Sequence, residues 1–212
     1  MNLHLYSDEL FSIQIDQYVF GKVLYTDETP QKIVEYSITN QEQFAVAISD
    51  DRGKLIGFFC LHLGAGPASY GYPDRSYALI RGLSIDERYR GKGYGAKCFD
   101  QIFEFINAEI SADVTNLILG VNENNICAQK AYEKADFKKS NRLVDGKFGK
   151  LIVMEKHKQS AWSKKQYKNR RRCVWQIGEA VWGNEKWKNG SLSSDKKSLE
   201  TYGLYFERRS WQ

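Results

Sequence analysis

The sequence predicts a mixed α/β fold, in which helices lie between the strands of a central sheet. Two runs, residues 79–85 and 117–121, are almost continuously apolar, as buried central strands should be. The segment after the first run has a helical period, and its apolar face consists of Ala96, Phe99, Ile102, Phe103 and Ile106. Strands that alternate with helices along the chain indicate this fold class.

The N-terminal part is predicted to hold three more strands and one helix. The strands come at residues 3–5, 44–48 and 55–61, with turn-forming residues at 49–53 between the last two. Thr29 and Pro30 begin the helix, because threonine caps a helix N-terminus and proline fits the first helical position. We expect this helix to end near Tyr36.

The later part of the domain is predicted to end in a short helix and two strands. A glycine- and proline-bearing loop at 64–76 precedes the first central strand, and the helix that carries Tyr132 follows the second. The closing strands are expected at 137–144 and 151–155, joined through Asp145–Gly146.

Charge and tryptophan content change abruptly near His157. Residues 158–212 carry 13 Lys and Arg against 5 Asp and Glu, whereas residues 1–157 carry 18 against 21. All five tryptophans lie in the later segment: Trp162, Trp175, Trp182, Trp187 and Trp211. We therefore predict one domain over residues 1–157. Residues 158–212 are expected to form a basic, Trp-rich tail that is poorly ordered or of separate origin.

The composition excludes several classes of protein. No apolar run is long enough to span a bilayer, and the N-terminus lacks the basic and apolar regions of a secretory signal. The four cysteines lack metal-type spacing, and three of them lie in apolar segments, where cysteine is usually a small buried hydrophobe. The three histidines are too dispersed for a zinc site. We expect a cytoplasmic protein that binds no metal.

The most informative stretch runs from Arg90 to Gly95 and reads Arg-Gly-Lys-Gly-Tyr-Gly. Glycines allow the backbone to approach an anion closely, and the first amides of a helix have no intrahelical acceptor. The stretch therefore predicts a phosphate-binding turn, with added positive charge from Arg90 and Lys92. Its spacing differs from that of the dinucleotide fingerprint and of the P-loop. A basic surface turn that only caps the helix is the alternative.

A second motif follows the second central strand and consists of Asn125, Ala128, Tyr132, Lys134 and Phe137. Together with Arg90, Gly93 and Gly95, it resembles the two motifs of the GNAT (Gcn5-related) N-acetyltransferases, Arg/Gln-x-x-Gly-x-Gly/Ala and Asn-x-x-Ala-x-x-x-Tyr-x-Lys-x-Gly-Phe. The chain departs from the second motif at Asp136, where the family has glycine. Aspartate tolerates a left-handed backbone better than most residues, so the turn can be kept. The resemblance covers residues 1–157, and in motif spacing it is similar to small bacterial polyamine-type acetyltransferases.

The resemblance implies a mostly antiparallel central sheet flanked by helices, and acetyl-CoA as the acetyl donor. In this family two neighbouring central strands splay apart and hold the pantetheine arm. Backbone groups near Leu83 and Ile85 would bind this arm and the thioester carbonyl. Asn125 would cap its helix and bind the cofactor arm. The pyrophosphate would lie on the backbone of Arg90, Gly91, Lys92, Gly93, Tyr94, Gly95 and Ala96.

Tyr132 is the candidate general acid under this resemblance. Its hydroxyl would protonate the thiolate that leaves as the C–S bond breaks, since a free thiol titrates near ~8.5. A tyrosine that only packs beside Phe137 is the alternative. The general base stays open, because the strand that carries a glutamate in many relatives has Arg81 here. Three residues in or beside the loop expected to face the acceptor are considered for this role: His62, Tyr72 and Asp74.

The predicted function is acetyl transfer to a small primary amine, such as a polyamine, by direct attack on acetyl-CoA. The negative charge balance of residues 1–157 favours a cationic acceptor. Aminoglycosides, amino acids and protein N-termini stay open as acceptors, and so does a homodimer. A nucleic-acid partner is not expected for the enzyme. The alternative is a catalytically weak GNAT-like binding protein, recruited to nucleic acid through the basic stretch from Lys164 to Arg172.

Overall fold

The computed structural model describes residues 1–21 and 25–159. Within them, seven strands form one sheet: Asn2–Leu5 (β1), Gln43–Ser49 (β2), Leu55–His62 (β3), Tyr77–Ile85 (β4), Asn116–Asn122 (β5), Lys138–Gly146 (β6) and Gly149–His157 (β7). The strand order is β1-β2-β3-β4-β5-β7-β6. Every neighbouring pair in this part of the chain is antiparallel except β4 and β5. The predicted mixed α/β class with a mostly antiparallel sheet is confirmed.

Helices cover both faces of the sheet: Asp8–Asp16 (α1), Pro30–Thr39 (α2), Ala65–Ser69 (α3), Tyr94–Lys97 (α4), Ile102–Glu109 (α5) and Ile126–Lys134 (α6). Successive side chains of a strand point to opposite faces. Thus Ala45 and Ala47 of β2 pack in a cluster with α1 and α2, whereas Val46 and Ile48 pack in a second cluster with α5. The sheet is therefore buried on both sides.

The predicted N-cap of α2 is present. Thr29 Oγ1 accepts a hydrogen bond from Lys32 N at 3.4 Å, and α2 runs three residues beyond the expected end at Tyr36.

Two helices were not predicted from the sequence. The first is α1, whose only buried side chains are Phe11 and Ile15, so its apolar period is weak. The second is α3, a single short turn of helix within the loop at 64–76.

The helix expected after the glycine-rich turn is interrupted, so the prediction of one continuous element is wrong. α4 ends at Lys97, Cys98–Asp100 form a 3₁₀ turn, and α5 begins only at Ile102. Gln101 lies at the break with φ −114° and ψ 4°, and its side chain donates to Met1 O at 2.9 Å. The predicted apolar face is buried at Phe99, Ile102 and Ile106, with Ala96 and Phe103 partly buried beside it.

The hairpin that ends the described part is longer than expected. β6 continues to Gly146 and the turn falls at residues 147–148, so the predicted joint at Asp145–Gly146 is two residues too early. Gly149 starts β7 with φ 111°, a backbone angle that favours glycine. After β7, Lys158 N donates to Thr115 O at 2.8 Å. The tryptophans and the basic stretch of the tail lie outside the described residues.

Cys60 and Cys98 are buried, as expected, whereas Cys127 is exposed on α6. Cys173 lies outside the part of the chain that the structure describes. Among the helices of residues 1–21 and 25–159, none is both long and apolar enough to cross a membrane.

The central strands β4 and β5 separate halfway along their length. Their pairing runs from Tyr77 and Asn116 to Ile80 and Leu119, and stops there. Beyond that point β4 stays with β3, and β5 stays with β7. Gly82, with φ 59°, lies in a bulge that places two residues of β4 opposite one residue of β3 and bends the strand. A gap therefore opens between the C-terminal halves of β4 and β5.

Candidate active site

The glycine-rich turn lies between the end of β4 and the start of α4. Gly91 and Gly93 have φ values of 76° and 78°, and a Cβ at either position would meet no atom within 4 Å. The N–H groups of residues 91–95 donate to no group among the described residues. Successive free amides in such a turn form a concave site for an anion. The turn thus has the open surface and the donors that a pyrophosphate needs.

Arg90 ties this turn to the rest of the fold. Its Nε donates to Ile85 O at 3.0 Å, and its Nη2 donates to Phe20 O. The Ile85 carbonyl, which the resemblance placed near the pantetheine arm, therefore already accepts one hydrogen bond. Lys92 is exposed, with its Nζ 5.3 Å from the centre of the Tyr89 ring. Its ammonium is near enough to the turn to attract a phosphate.

The second motif forms the start and end of α6, which packs against α4. Asn125 Oδ1 accepts from Ala128 N at 3.2 Å and so caps the helix, as predicted. Asp136 has φ 66°, a left-handed backbone angle that glycine adopts most readily. Phe137 N donates to Tyr132 O at 3.0 Å and closes this C-terminal turn.

Tyr132 lies in a cluster of aromatic rings. Its ring centre is 6.1 Å from that of Phe99 and 5.9 Å from that of Phe137, both in edge-on contacts. Burial, and to a smaller extent the nearby Cys98 thiol, raises the pKa of Tyr132, so its hydroxyl is protonated at neutral pH. That hydroxyl donates to no group among residues 1–21 and 25–159. The Tyr132 ring therefore packs against its neighbours, while its hydroxyl can still donate a proton.

The opposite face of the gap carries an ion pair that the sequence analysis missed. Arg81 of β4 contacts Glu28, which immediately precedes the Thr29 cap of α2. The Glu28 Oε2 atom is only 2.8 Å from the position that a Cβ at Gly82 would take. Glu28 and Arg81 are 53 residues apart in sequence, and only the fold brings them together. In the sequence, the only local feature that distinguishes Glu28 is its position next to the Thr29 helix cap.

The three residues considered as general base take different places. His62 is buried, with no partner for either ring nitrogen among the described residues; burial and then Arg81 lower its pKa. The Tyr72 hydroxyl donates to Glu155 at 2.5 Å. Asp74 accepts from Ser76 N at 2.7 Å within an exposed turn. At the gap itself, the close neighbours of Gly82 and Gly120 are instead Glu28, Ile33, Tyr70 and Leu151.

Directly after β4, the buried carboxylate of Asp86 holds the end of this strand in place. Asp86 accepts from the Arg88 guanidinium at 2.5 Å and 2.9 Å, and from Val19 N at 3.1 Å. Burial alone would raise the pKa of Asp86, but these hydrogen bonds outweigh it and lower the pKa. Within the described ranges, no group of three or more His, Cys, Asp or Glu side chains could hold a metal ion.

The sequence is similar to those of known acetyltransferases. The model of the acetyltransferase (GNAT) family matches residues 7–137. The uncharacterized N-acetyltransferase YbbJ of Bacillus subtilis (strain 168) is 27% identical over 126 residues, which cover 59% of this chain and 77% of that protein.

Solved structures of acetyltransferases have a similar fold. The aminoglycoside acetyltransferase AAC(6')-Ib in complex with coenzyme A superposes with a TM-score of 0.58 and 18% identity, over 74% of this chain and 94% of that chain. A chimera of the spermidine N-acetyltransferase SpeG from Vibrio cholerae and hSSAT superposes with a TM-score of 0.53 and 14% identity, again over 74% of this chain and 94% of that chain. The family match spans more than half of the sequence and includes both motifs. The chain belongs to the GNAT family of acetyltransferases.

Proposed function

We propose that this protein is an acetyl-CoA-dependent N-acetyltransferase that acylates a small cationic primary amine by direct attack. The observation that carries the proposal is the gap between β4 and β5, with the free amides of residues 91–95 following one strand and Tyr132 following the other. The coenzyme A in the AAC(6')-Ib structure supports the choice of donor.

The turn and the free strand edge divide the binding of acetyl-CoA between them. The amides of residues 91–95 hold the pyrophosphate, and Lys92 adds positive charge. Residues Arg81 to Ile85 lie beyond the last pair with β5, so this edge of β4 is open to the amides of the pantetheine arm. Asn125, at the N-terminus of α6, lies on the other side of the arm.

The chemistry needs an oxyanion donor and an acid. When the amine attacks the thioester, the carbonyl oxygen gains negative charge, which a fixed backbone N–H near Leu83 stabilises. As the C–S bond breaks, Tyr132 gives its proton to the sulfur. The raised pKa of Tyr132 keeps that proton in place until the thiolate develops.

A cationic acceptor agrees with the charge of the domain, because residues 1–157 carry more acidic than basic side chains. Among the proteins of similar fold, one structure contains kanamycin and another is a chimera of a spermidine N-acetyltransferase. A lysine-like amine with a pKa near ~10.4 is only about one part in 2,500 neutral at pH 7, a handicap of roughly 4.6 kcal/mol. The acceptor site therefore needs a group that removes a proton.

A screen of amines with acetyl-CoA tests this proposal. Spermidine, kanamycin, free lysine and a peptide with an open N-terminus are compared by the release of free CoA thiol. We expect release with at least one of the first three, together with a mass increase of one acetyl group on that amine. Turnover with the peptide alone would contradict the choice of a small acceptor. Absence of both turnover and acetyl-CoA binding would contradict the enzyme itself.

A further inference from the structure

We infer that Glu28 binds the ammonium group of the acceptor and takes its proton, and that Arg81 positions the Glu28 carboxylate for this step. The inference rests on the proposed function, because it concerns the acceptor side of the same gap. The general base, Glu28, thus lies in the loop before α2, whereas β4 itself carries the positively charged Arg81.

Two glycines let polar side chains approach the backbone closely where the gap begins. A Cβ at Gly82 would lie 2.8 Å from Glu28 Oε2, and a Cβ at Gly120 would lie 3.0 Å from the hydroxyl oxygen of Tyr70. Continuing the β4–β5 register past Ile80 places Arg81 opposite Gly120. A carboxylate and a hydroxyl therefore flank the point where the strands part, which is also the point where a thioester held by β4 would lie.

The loop that carries Glu28 is held at several points. Glu28 N donates to Thr26 Oγ1 at 3.2 Å, and the next residue, Thr29, caps α2. Asp27 pairs with Lys147 of the β6–β7 turn at 2.5 Å and with Lys32 at 3.6 Å. These contacts hold the loop on both sides of Glu28, and the contact with Arg81 orients the Glu28 carboxylate toward β4.

The other groups around Glu28 are poor bases. Its side chain is 16% exposed, and it faces Arg81 of β4, Cys60 of β3 and Tyr70 of the loop after α3. Burial raises the pKa of Cys60 to about 12 and also raises that of Tyr70, so both are protonated at neutral pH. Arginine stays charged in proteins. Among these four side chains, the Glu28 carboxylate is therefore the one that offers a negative charge to an ammonium and an oxygen to receive its proton.

His62 is the rival on this face. It is buried, its ring lies against Gly66, and burial keeps it neutral at pH 7. However, its strand register pairs it with Leu79, before the point where β4 and β5 separate. Glu28 is directly over the bulge at Gly82 and so lies nearer the open part of the gap.

The reaction then balances as follows. The ammonium gives one proton to Glu28, which passes it to water, and the freed lone pair forms the C–N bond. The C–S bond breaks, the nitrogen loses its second proton to water, and the sulfur gains a proton from Tyr132, which is reprotonated by water. The net products are an acetamide, a thiol and one proton.

Kinetics across pH on the full chain test this assignment, with spermidine and kanamycin as acceptors and calorimetry of acetyl-CoA binding as a check on folding. If Glu28 takes the proton of a bound ammonium, wild-type kcat/KM is nearly flat between about pH 7 and 9. Glu28→Gln must wait for neutral amine, so its kcat/KM falls about 100-fold at pH 7 and rises roughly tenfold per pH unit. Glu28→Asp keeps the flat profile at a lower kcat.

The controls separate the base from its neighbours. Arg81→Met lowers kcat/KM without adding a pH slope, because the carboxylate remains. Glu35→Gln, on the exposed side of α2, behaves as wild type. An active wild type whose Glu28→Gln variant keeps the flat profile overturns the assignment, as does a slope that appears with His62→Gln instead. A wild type that turns over no amine overturns the proposed function first.

Discussion

Ile80 and Leu119 are the last paired residues of β4 and β5, and each feature of the candidate site follows this pair along the chain or lies beside the gap it starts. The glycine-rich turn continues from β4, and the helix with Tyr132 continues from β5. Glu28 approaches the same gap at Gly82, beside Ile33 of α2, and Tyr70 approaches it at Gly120. One break in strand pairing therefore gathers residues from four separate parts of the chain.

Replacement of Tyr132 by phenylalanine tests its role as the acid. The ring contacts with Phe99 and Phe137 would be kept, so only the proton donor is lost. We expect kcat to fall by about 10²- to 10⁴-fold with acetyl-CoA affinity nearly unchanged. Tyr36→Phe, on the exposed side of α2, is the matched control. An unchanged kcat would leave Tyr132 with a packing role alone.

Acid should weaken the fold through Asp86. Because its folded pKa lies below the unfolded value of about 3.9, the stabilisation is complete above that value and disappears as pH falls through the folded pKa. Asp86→Asn lacks this contribution at every pH and should lower the free energy of unfolding by about 1–2 kcal/mol at pH 7, because the Arg88 guanidinium that it leaves behind is half exposed. Chemical denaturation at pH 7 and at pH 3 should show that the wild type and Asp86→Asn differ less in their free energy of unfolding at the lower pH. The same difference in free energy of unfolding at both pH values would contradict this account.

Asp136 holds a backbone angle that favours glycine. With φ 66°, its Cβ is strained, and Asp136→Gly should raise the free energy of unfolding by up to about 1 kcal/mol. Asp136→Val should lower it, because a β-branched side chain tolerates this region least. Thermal unfolding of the three proteins measures both changes. A lower melting temperature for the glycine variant would show that the aspartate side chain stabilises the turn in another way.

The local part of the site was predictable from sequence, and the non-local part was not. Continuous apolar runs predicted β4 and β5, and the two motifs predicted the glycine-rich turn and the Asn125 cap, because each depends on neighbouring residues. Gln101, where the helix is interrupted, bonds to Met1, 100 residues away in sequence. The approach of Glu28 to Arg81 likewise depends on how α2 packs on the sheet. No period or spacing in the chain records such contacts.

Removal of residues 160–212 tests the domain boundary. β7 ends at His157 and Lys158 still bonds to Thr115, so a chain that ends at Gln159 keeps every described strand. We expect such a chain to retain acetyl transfer. The rival hypothesis of a nucleic-acid-binding tail predicts salt-sensitive DNA or RNA binding by the full chain that this truncation abolishes. A folded but inactive truncated protein would place part of the tail in the active site.

Calorimetric titration with acetyl-CoA tests the central claim most directly. We predict binding to the wild type, and a loss of roughly 100-fold in Gly93→Glu, because the new carboxylate repels the pyrophosphate and removes about two charge-assisted hydrogen bonds. Gly53→Glu is the matched control, since Gly53 has φ 79° and equally open surroundings in the turn between β2 and β3. Its affinity should equal that of the wild type. A wild type that binds no acetyl-CoA at high micromolar concentration, or a Gly93→Glu variant that binds it as well as the control, would contradict the account.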